Sequence, residues 1–174
     1  MLWITAWHAS GVELGTSILT NGAAVFKYPN PLKLEARGIK TYRGMEGSGF
    51  NASIYADGKK VLDLIDEGNG GALHVYAIGE EGRRVEKELK ALCATLPKDK
   101  AYGIEIDVDA DIYLDELVNE AQFQAKLARL RKKATPFVLP GEDPSVGYRT
   151  INTPDVEKAK AFLDKKFPSG YTLI

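Results

Sequence analysis

The sequence predicts an α+β fold, an antiparallel β-meander sheet with about three helices packed against it. Three observations carry that expectation. Apolar and polar residues alternate over 34–78 between tight glycine turns, the spacing becomes helical after Ile78, and the strand connections are too short to cross between parallel strands. At 174 residues the chain has the length of one domain, which typically runs to about 100–200.

Residues 1–31 stand apart as an N-terminal hairpin or extension, ahead of a single α+β domain over 32–174. Up to Lys27 their one formal charge is Glu13, and Asn21-Gly22 between 15–20 and 23–28 suits a type I′ hairpin turn. Trp3 and Trp7, four residues apart, leave a short helix open as well, and Pro29-Asn30-Pro31 closes the segment rigidly. Residues 34–42 read as a strand, followed by the glycine-rich connection Arg43-Gly44-Met45-Glu46-Gly47-Ser48-Gly49. Residues 50–56 carry Phe50, Ala52, Ile54 and Ala56 on one face, Asp57-Gly58 turns the chain, and 59–65 return. Asp66-Glu67-Gly68-Asn69-Gly70-Gly71 is a second turn before a strand over 72–78.

Val85, Leu89, Leu92 and Leu96 then recur at helical spacing over 80–95, and Pro97 stops the helix. Tyr102, Ile104, Ile106 and Val108 alternate with polar residues, which predicts a half-buried strand. The spacing over 111–133 predicts the longest helix, capped by Asp109 or Asp111, with Leu114, Leu117, Val118, Ala121, Ala125 and Ala128 as its apolar stripe, widened by Phe123, Leu127 and Leu130. Arg129, Arg131, Lys132 and Lys133 at its end complement the helix dipole. Strands are expected over 137–139 and 146–151. Thr153 as cap and Pro154 at the first position start a last helix, and 171–174 form an edge strand.

The formal net charge is −1, without the basic excess usual for a duplex-DNA binder. Cys93 is the single cysteine, so no intrachain disulfide forms, and its place on an apolar helix stripe makes it a core residue. No apolar run approaches the about 20 residues that span a bilayer, and no basic residue precedes Lys27. A cytoplasmic protein without membrane partners is expected.

Few constellations suggest chemistry. Lys40 and Arg43 beside Gly44, Gly47 and Gly49, with Asn69 and Gly70 in the next turn, could cradle an anion through backbone N–H groups. That loop leads into a strand instead of a helix, and no Gly-Lys-Ser/Thr follows. Asp107, Asp109 and Asp111 have the first ligand spacings of a calcium loop, but Ile112 stands where glycine is needed and Val118 where glutamate is needed. Asp63, Asp66 and Glu67 with Asn69 make an acidic turn, and His8 and His74 match no metal spacing. No nucleophile elbow, dinucleotide fingerprint or kinase motif is present, which favours binding over catalysis; no cofactor is expected. Tyr42, Phe50 and Tyr55 with the basic runs 83–90 and 129–133 could form an aromatic, basic surface for single-stranded nucleic acid; equally, the aromatics could fill the core.

From Leu34 onward several stretches carry a resemblance. They are Gly38-Ile39-Lys40-Thr41-Tyr42-Arg43-Gly44-Met45-Glu46-Gly47-Ser48-Gly49-Phe50-Asn51-Ala52, then Tyr55-x-Asp57-Gly58-Lys59-Lys60-Val61, then Asp66-Glu67-Gly68-Asn69-Gly70-Gly71. Arg131-Lys132-Lys133, the strand at Phe137 and Thr150-Ile151-Asn152-Thr153-Pro154 look similar too. In these the chain resembles a family of small accessory proteins of tailed bacteriophages and prophages. The resemblance implies the cytoplasm of a bacterial host and supplies no catalytic residues. Taken with the missing catalytic motifs and the glycine-rich loops 44–49 and 68–71, it leads to the expectation of a non-catalytic binding protein that inhibits host defence, by binding a host protein or by sequestering a small phosphorylated nucleotide signal. The alternatives are a single-stranded nucleic-acid-binding accessory protein of replication or recombination, and a small metal-dependent hydrolase or nuclease using Asp107, Asp109 and Asp111. A homo-oligomer is compatible with each.

Overall fold

The structure, a computed structural model, describes residues 26–101, 104–144 and 146–174. Four strands, β1 (Leu34–Arg43), β2 (Ser48–Ala56), β3 (Lys59–Asp66) and β4 (His74–Ala77), pair in chain order as an antiparallel meander. Asp57 and Gly58 have φ of +47° and +79°, the two positive angles that a tight two-residue hairpin loop demands. Phe50, Ala52, Ile54, Leu62 and Leu64 are buried on one face of the sheet. Against this face pack α1 (Gly79–Cys93) and α2 (Ala110–Leu130).

Local sequence explains both helices. Val85, Leu89 and Cys93 repeat every four residues and are all buried. Gly82 is buried with them, because a Cβ there would collide with the Val61 carbonyl oxygen. α2 begins at Asp109, whose carboxylate accepts the Ile112 N–H at 2.9 Å. Its buried residues are Tyr113, Leu114, Leu117, Val118 and Leu127. The stripe differs from expectation: Ala125 and Ala128 face solvent, and Tyr113 is a core residue. Alanines carry little apolar area, so the larger Tyr113, with Leu127 as expected, sets the face that docks.

Two irregularities set which side chains face which way. Between Arg37 and Lys40 the β1–β2 register shifts, with Gly38 at φ +65°: Gly38 and Ile39 together oppose Ala52. Ile39 packs on the core and Lys40 faces away from the helices. A second shift, between Ile54 and Tyr55, leaves Val61 as the extra residue on β3, and both Val61 and Leu62 are fully buried.

The strand expected over 102–108 is instead part of a small hairpin. β5 (Asp99–Ala101) pairs antiparallel with β6 (Ile104–Ile106), and Ile104 is exposed rather than half-buried. Polar Asp99 and Lys100 gave no apolar alternation to mark the first arm. A third sheet has the order β8 (Arg149–Ile151), β7 (Thr135–Val138), β9 (Thr172–Leu173). Val146 lies in the turn before β8, not in a strand. The last helix, α3 (Val156–Lys166), is capped by Asp155, which accepts the Lys158 N–H at 3.2 Å. Thr153, the expected cap, accepts the Asp155 N–H in the preceding turn.

The hairpin expected over 15–28 lies outside the described residues, Phe26–Tyr28 excepted. Those three fold onto α2. Phe26 meets Tyr113 edge-on at 4.9 Å between ring centroids, and Tyr28 stacks on it at 5.6 Å. The Tyr113 hydroxyl donates to the Pro29 carbonyl at 3.0 Å. The Asp99 carboxylate accepts from Lys27 Nζ at 2.7 Å and from the Tyr28 hydroxyl at 2.8 Å.

Candidate functional site: the open face of the sheet

One face of the meander holds α1 and α2; the other has no cover among the described residues. The antiparallel register aligns its outward side chains into rows. One row runs Arg37–Ser53–Asp63–Tyr76 and the next Lys40–Asn51–Ile65–His74, each crossing all four strands. A partial row, Glu35–Tyr55–Lys60, flanks them. Lys40, Asn51, His74 and Tyr76 are exposed, and Ile65 and Tyr55 are half-buried.

Most charges on this face are already paired. Arg37 lies over the Tyr55 ring, 4.6 Å from its centroid, and is held from the side by Glu35. Asp63 accepts from Ser53 at 2.8 Å and from Lys60 at 2.7 Å. Partial burial opposes charge on Asp63, but those two donors outweigh it and its pKa is lowered. Among the described residues Lys40 and Arg43 have no hydrogen-bond or ion-pair partner. The face thus offers aromatic surface, one aliphatic side chain, an amide and a free cation.

The two glycine-rich turns meet at one end of this face. A Cβ on Gly44 or Gly49 would collide with the carbonyl oxygen of Gly68 or of Asp66, and one on Gly68 would lie 2.6 Å from the Gly49 nitrogen. The Tyr42 ring lies against Gly49, where a Cβ would meet it at 2.6 Å, and its hydroxyl donates to the Asp66 carbonyl at 2.6 Å. The Glu46 N–H donates to Gly68 O at 2.9 Å, and Gly44 N–H to Gly47 O at 2.8 Å. Gly68 N–H donates to the Asp66 carboxylate and Gly71 N–H to the Asn69 side chain. The Glu46 carboxylate hangs over Gly70, and Asn69 donates to Glu67. A recess of about 480 Å³ lined by residues 41–48 lies within the first turn, and Met45 at its tip is 95% exposed.

No family model matches this chain, and neither a curated protein nor a solved structure does.

The structure therefore brings Lys40, Arg43, Gly44, Gly47, Gly49, Asn69 and Gly70 to one end of the molecule, with four of the local N–H groups engaged by protein acceptors. It does not join the three aspartates into a metal site: no group of three His, Cys, Asp or Glu among the described residues could hold an ion. Asp107 pairs with Lys98 at 3.2 Å, Asp109 caps α2, and Asp111 lies half-buried beside it. Cys93 is buried, and burial, reinforced by Asp109, pushes its thiol pKa up to about 11, which removes thiolate reactivity at neutral pH.

The aromatic surface divides. Phe50 is in the core, while Tyr42 and Tyr55 face outward. The basic run at the end of α2 lies with β7 and the chain's last residues, away from the open face, and Arg131 Nε donates to Ile174 O. On α1, Arg84 is held by Glu81 and Glu88, and Lys90 by Glu86. Sequence reasoning missed Tyr76, Ile65 and Asn51 as members of the face. The signal was their place opposite buried neighbours on three successive strands. No helix among the described residues is long and apolar enough to cross a membrane.

Proposed function

We propose that this chain is a non-catalytic binding protein of the phage accessory kind, acting on a host factor by occupying it. The partner in this reading is a host protein, and the contact surface is the open face of the meander with the Met45 tip. The observation that carries it is the pair of complete rows, Arg37–Ser53–Asp63–Tyr76 and Lys40–Asn51–Ile65–His74, turned away from the helices. Tyrosine, arginine and methionine are the residue types enriched where proteins bind each other. The glycine turns favour a protein over a phosphorylated ligand, because their engaged N–H groups and the Glu46 and Glu67 carboxylates disfavour a phosphate there.

A second reading, single-stranded nucleic acid on the same face, is favoured by the exposed rings of Tyr42 and Tyr76 and the unpaired Lys40. Base stacking on such rings contributes about 1–3 kcal/mol per base, and phosphate contacts make binding fall steeply with salt. One experiment separates the two. Tagged protein and a Lys40→Glu/Tyr76→Glu variant are used to capture partners from host lysate, and both are titrated with a fluorescent oligothymidine at low and moderate salt. A host protein in fixed stoichiometry by native mass spectrometry, lost with the variant while its melting temperature is unchanged, is the expected result. Salt-sensitive oligonucleotide binding without a protein partner would transfer the function to nucleic acid. Capture that ignores the variant would remove the face from the reading.

A further inference from the structure

The meander has two edges, and the sequence guards only one of them. At β1 the Asn30 side chain holds both the Leu34 N–H, at 2.8 Å, and the Leu34 carbonyl, at 2.9 Å. Further along β1 the Gly38-Ile39 irregularity breaks the ladder, and Glu35, Arg37 and Lys40 put charge along the strand. Bulges and charges of that kind keep other strands off an edge. β4 has none of these devices. His74-Val75-Tyr76-Ala77 carries no proline, lysine or carboxylate and no register shift, and no described residue pairs with its outer side. We infer that β4 is a dimer edge, pairing antiparallel with β4 of a second copy across a two-fold axis at Tyr76.

The ladder fixes which backbone groups are on offer. Ile78 N–H donates to Val61 O at 2.8 Å, and Tyr76 lies opposite Asp63, so the backbone of Ile78 and Tyr76 faces β3. That of Val75 and Ala77 therefore faces outward, and its N–H and C=O groups have no partner among the described residues. β4 ends at His74 and Ala77, so one register alone satisfies both outward residues within the strand: Val75 opposite Ala77 of the second copy, and Ala77 opposite its Val75. Tyr76 then meets its own counterpart in the closely spaced, non-hydrogen-bonded position, and His74 comes opposite Ile78. No like charges oppose each other, as an edge that pairs with itself requires. The guarded β1 edge offers β4 no alternative partner, so the assembly closes at two instead of growing into a filament. Gly82 seats the first turn of α1 on Val61 O and Ala77, between β3 and β4, which brings the two α1 helices about 10 Å apart, the spacing of packed helices. Charges beside the buried stripe of α1 are paired within the helix, Arg84 with Glu81 and Glu88, and Lys90 with Glu86.

The pairing is a property of the chain alone, independent of what the open face binds, and the purified full chain tests it. Sedimentation velocity over a concentration series is expected to show a monomer–dimer equilibrium. Hydrogen exchange at the Val75 and Ala77 amides is expected to slow as the concentration rises. Ala77→Pro removes an outward donor that the β3–β4 ladder does not use, and is expected to weaken the dimer tenfold or more. Tyr76→Lys and Tyr76→Asp are each expected to be monomeric, because like charges would meet at the axis. Their equimolar mixture is expected to recover a dimer of the two different chains by native mass spectrometry. That recovery requires position 76 to face itself and does not depend on how Ala77→Pro folds. A parent chain that stays monomeric over the whole series would overturn the pairing. So would a dimer whose Val75 and Ala77 amides exchange at the monomer's rate, a dimer indifferent to Ala77→Pro, or Tyr76 variants that remain apart when mixed.

Discussion

Glycines that attract attention as ligand contacts are here explained by backbone meeting backbone. Gly44, Gly49 and Gly68 have no room for a methyl group, while at Gly47 and Gly58 nothing lies within 4 Å of where a Cβ would stand. Gly68 also has a φ of +64°, a region that L-residues enter at a cost. Gly68→Ala is therefore expected to destabilise the fold by about 2–4 kcal/mol, combining backbone collision with a strained φ. Gly47→Ala is expected to stay within about 0.5 kcal/mol of the parent, as solvent-facing substitutions do. Urea unfolding midpoints of the two variants check this, and equal effects would contradict the loop–loop packing. The sequence showed that glycines cluster in two turns. It did not show that the turns touch, because 44–49 and 66–71 approach only after β2 and β3 pair.

Elements were legible where periodicity and turn chemistry agree. The meander, α1 and α2 follow from alternation, an Asp-Gly turn and four-residue spacing, each a property of neighbouring residues. Competing local signals misplaced the start of α3, since both Thr153 and Asp155 can cap and Asp155 is the one that reaches an N–H inside the helix. The acidic run before α2 resolves at the same scale. Asp109 holds the Ile112 N–H, and Asp107 reaches only Lys98 from an exposed position. Asp109→Ala is expected to lower stability by about 1 kcal/mol through loss of the cap, against near-neutrality for Asp107→Ala. Thermal melts of the two, with and without magnesium, test the cap; a magnesium-dependent shift in the parent would reopen the metal reading.

The molecule as a whole decides what its carboxylates do with pH. Asp115 on α2 is partly buried, and that burial, aided by Asp66 across from it, holds its pKa above 3.8. A carboxyl raised in the folded state binds its proton more tightly there than in the unfolded chain, so stability falls as pH climbs from 3.8 through the raised value. Asp99 is the opposite case. The Lys27 ammonium first, and the Tyr28 hydroxyl next, lower its pKa, so its contribution is present above 3.8 and is lost as pH falls through the lowered value. Asp115→Asn is expected to raise the melting temperature at pH 7, since the amide still accepts from Asn119, and to lose that gain near pH 3, where the parent carboxyl is protonated. Melting curves across pH check the sign; a lower melting temperature at pH 7 would show that the carboxylate is stabilising instead.

By itself the sequence determined the α+β class, the meander order and the placing of Cys93 in the core, because each depends on residues close together along the chain. Only the tertiary structure decided which side of the sheet stays open and that Lys40 lies on it. A single extra residue at Gly38-Ile39 inverts every later side chain of β1, since strand residues alternate with a period of two. It likewise decided that Tyr113 anchors Phe26 and Tyr28 across more than eighty residues of chain, a pairing that no local pattern encodes.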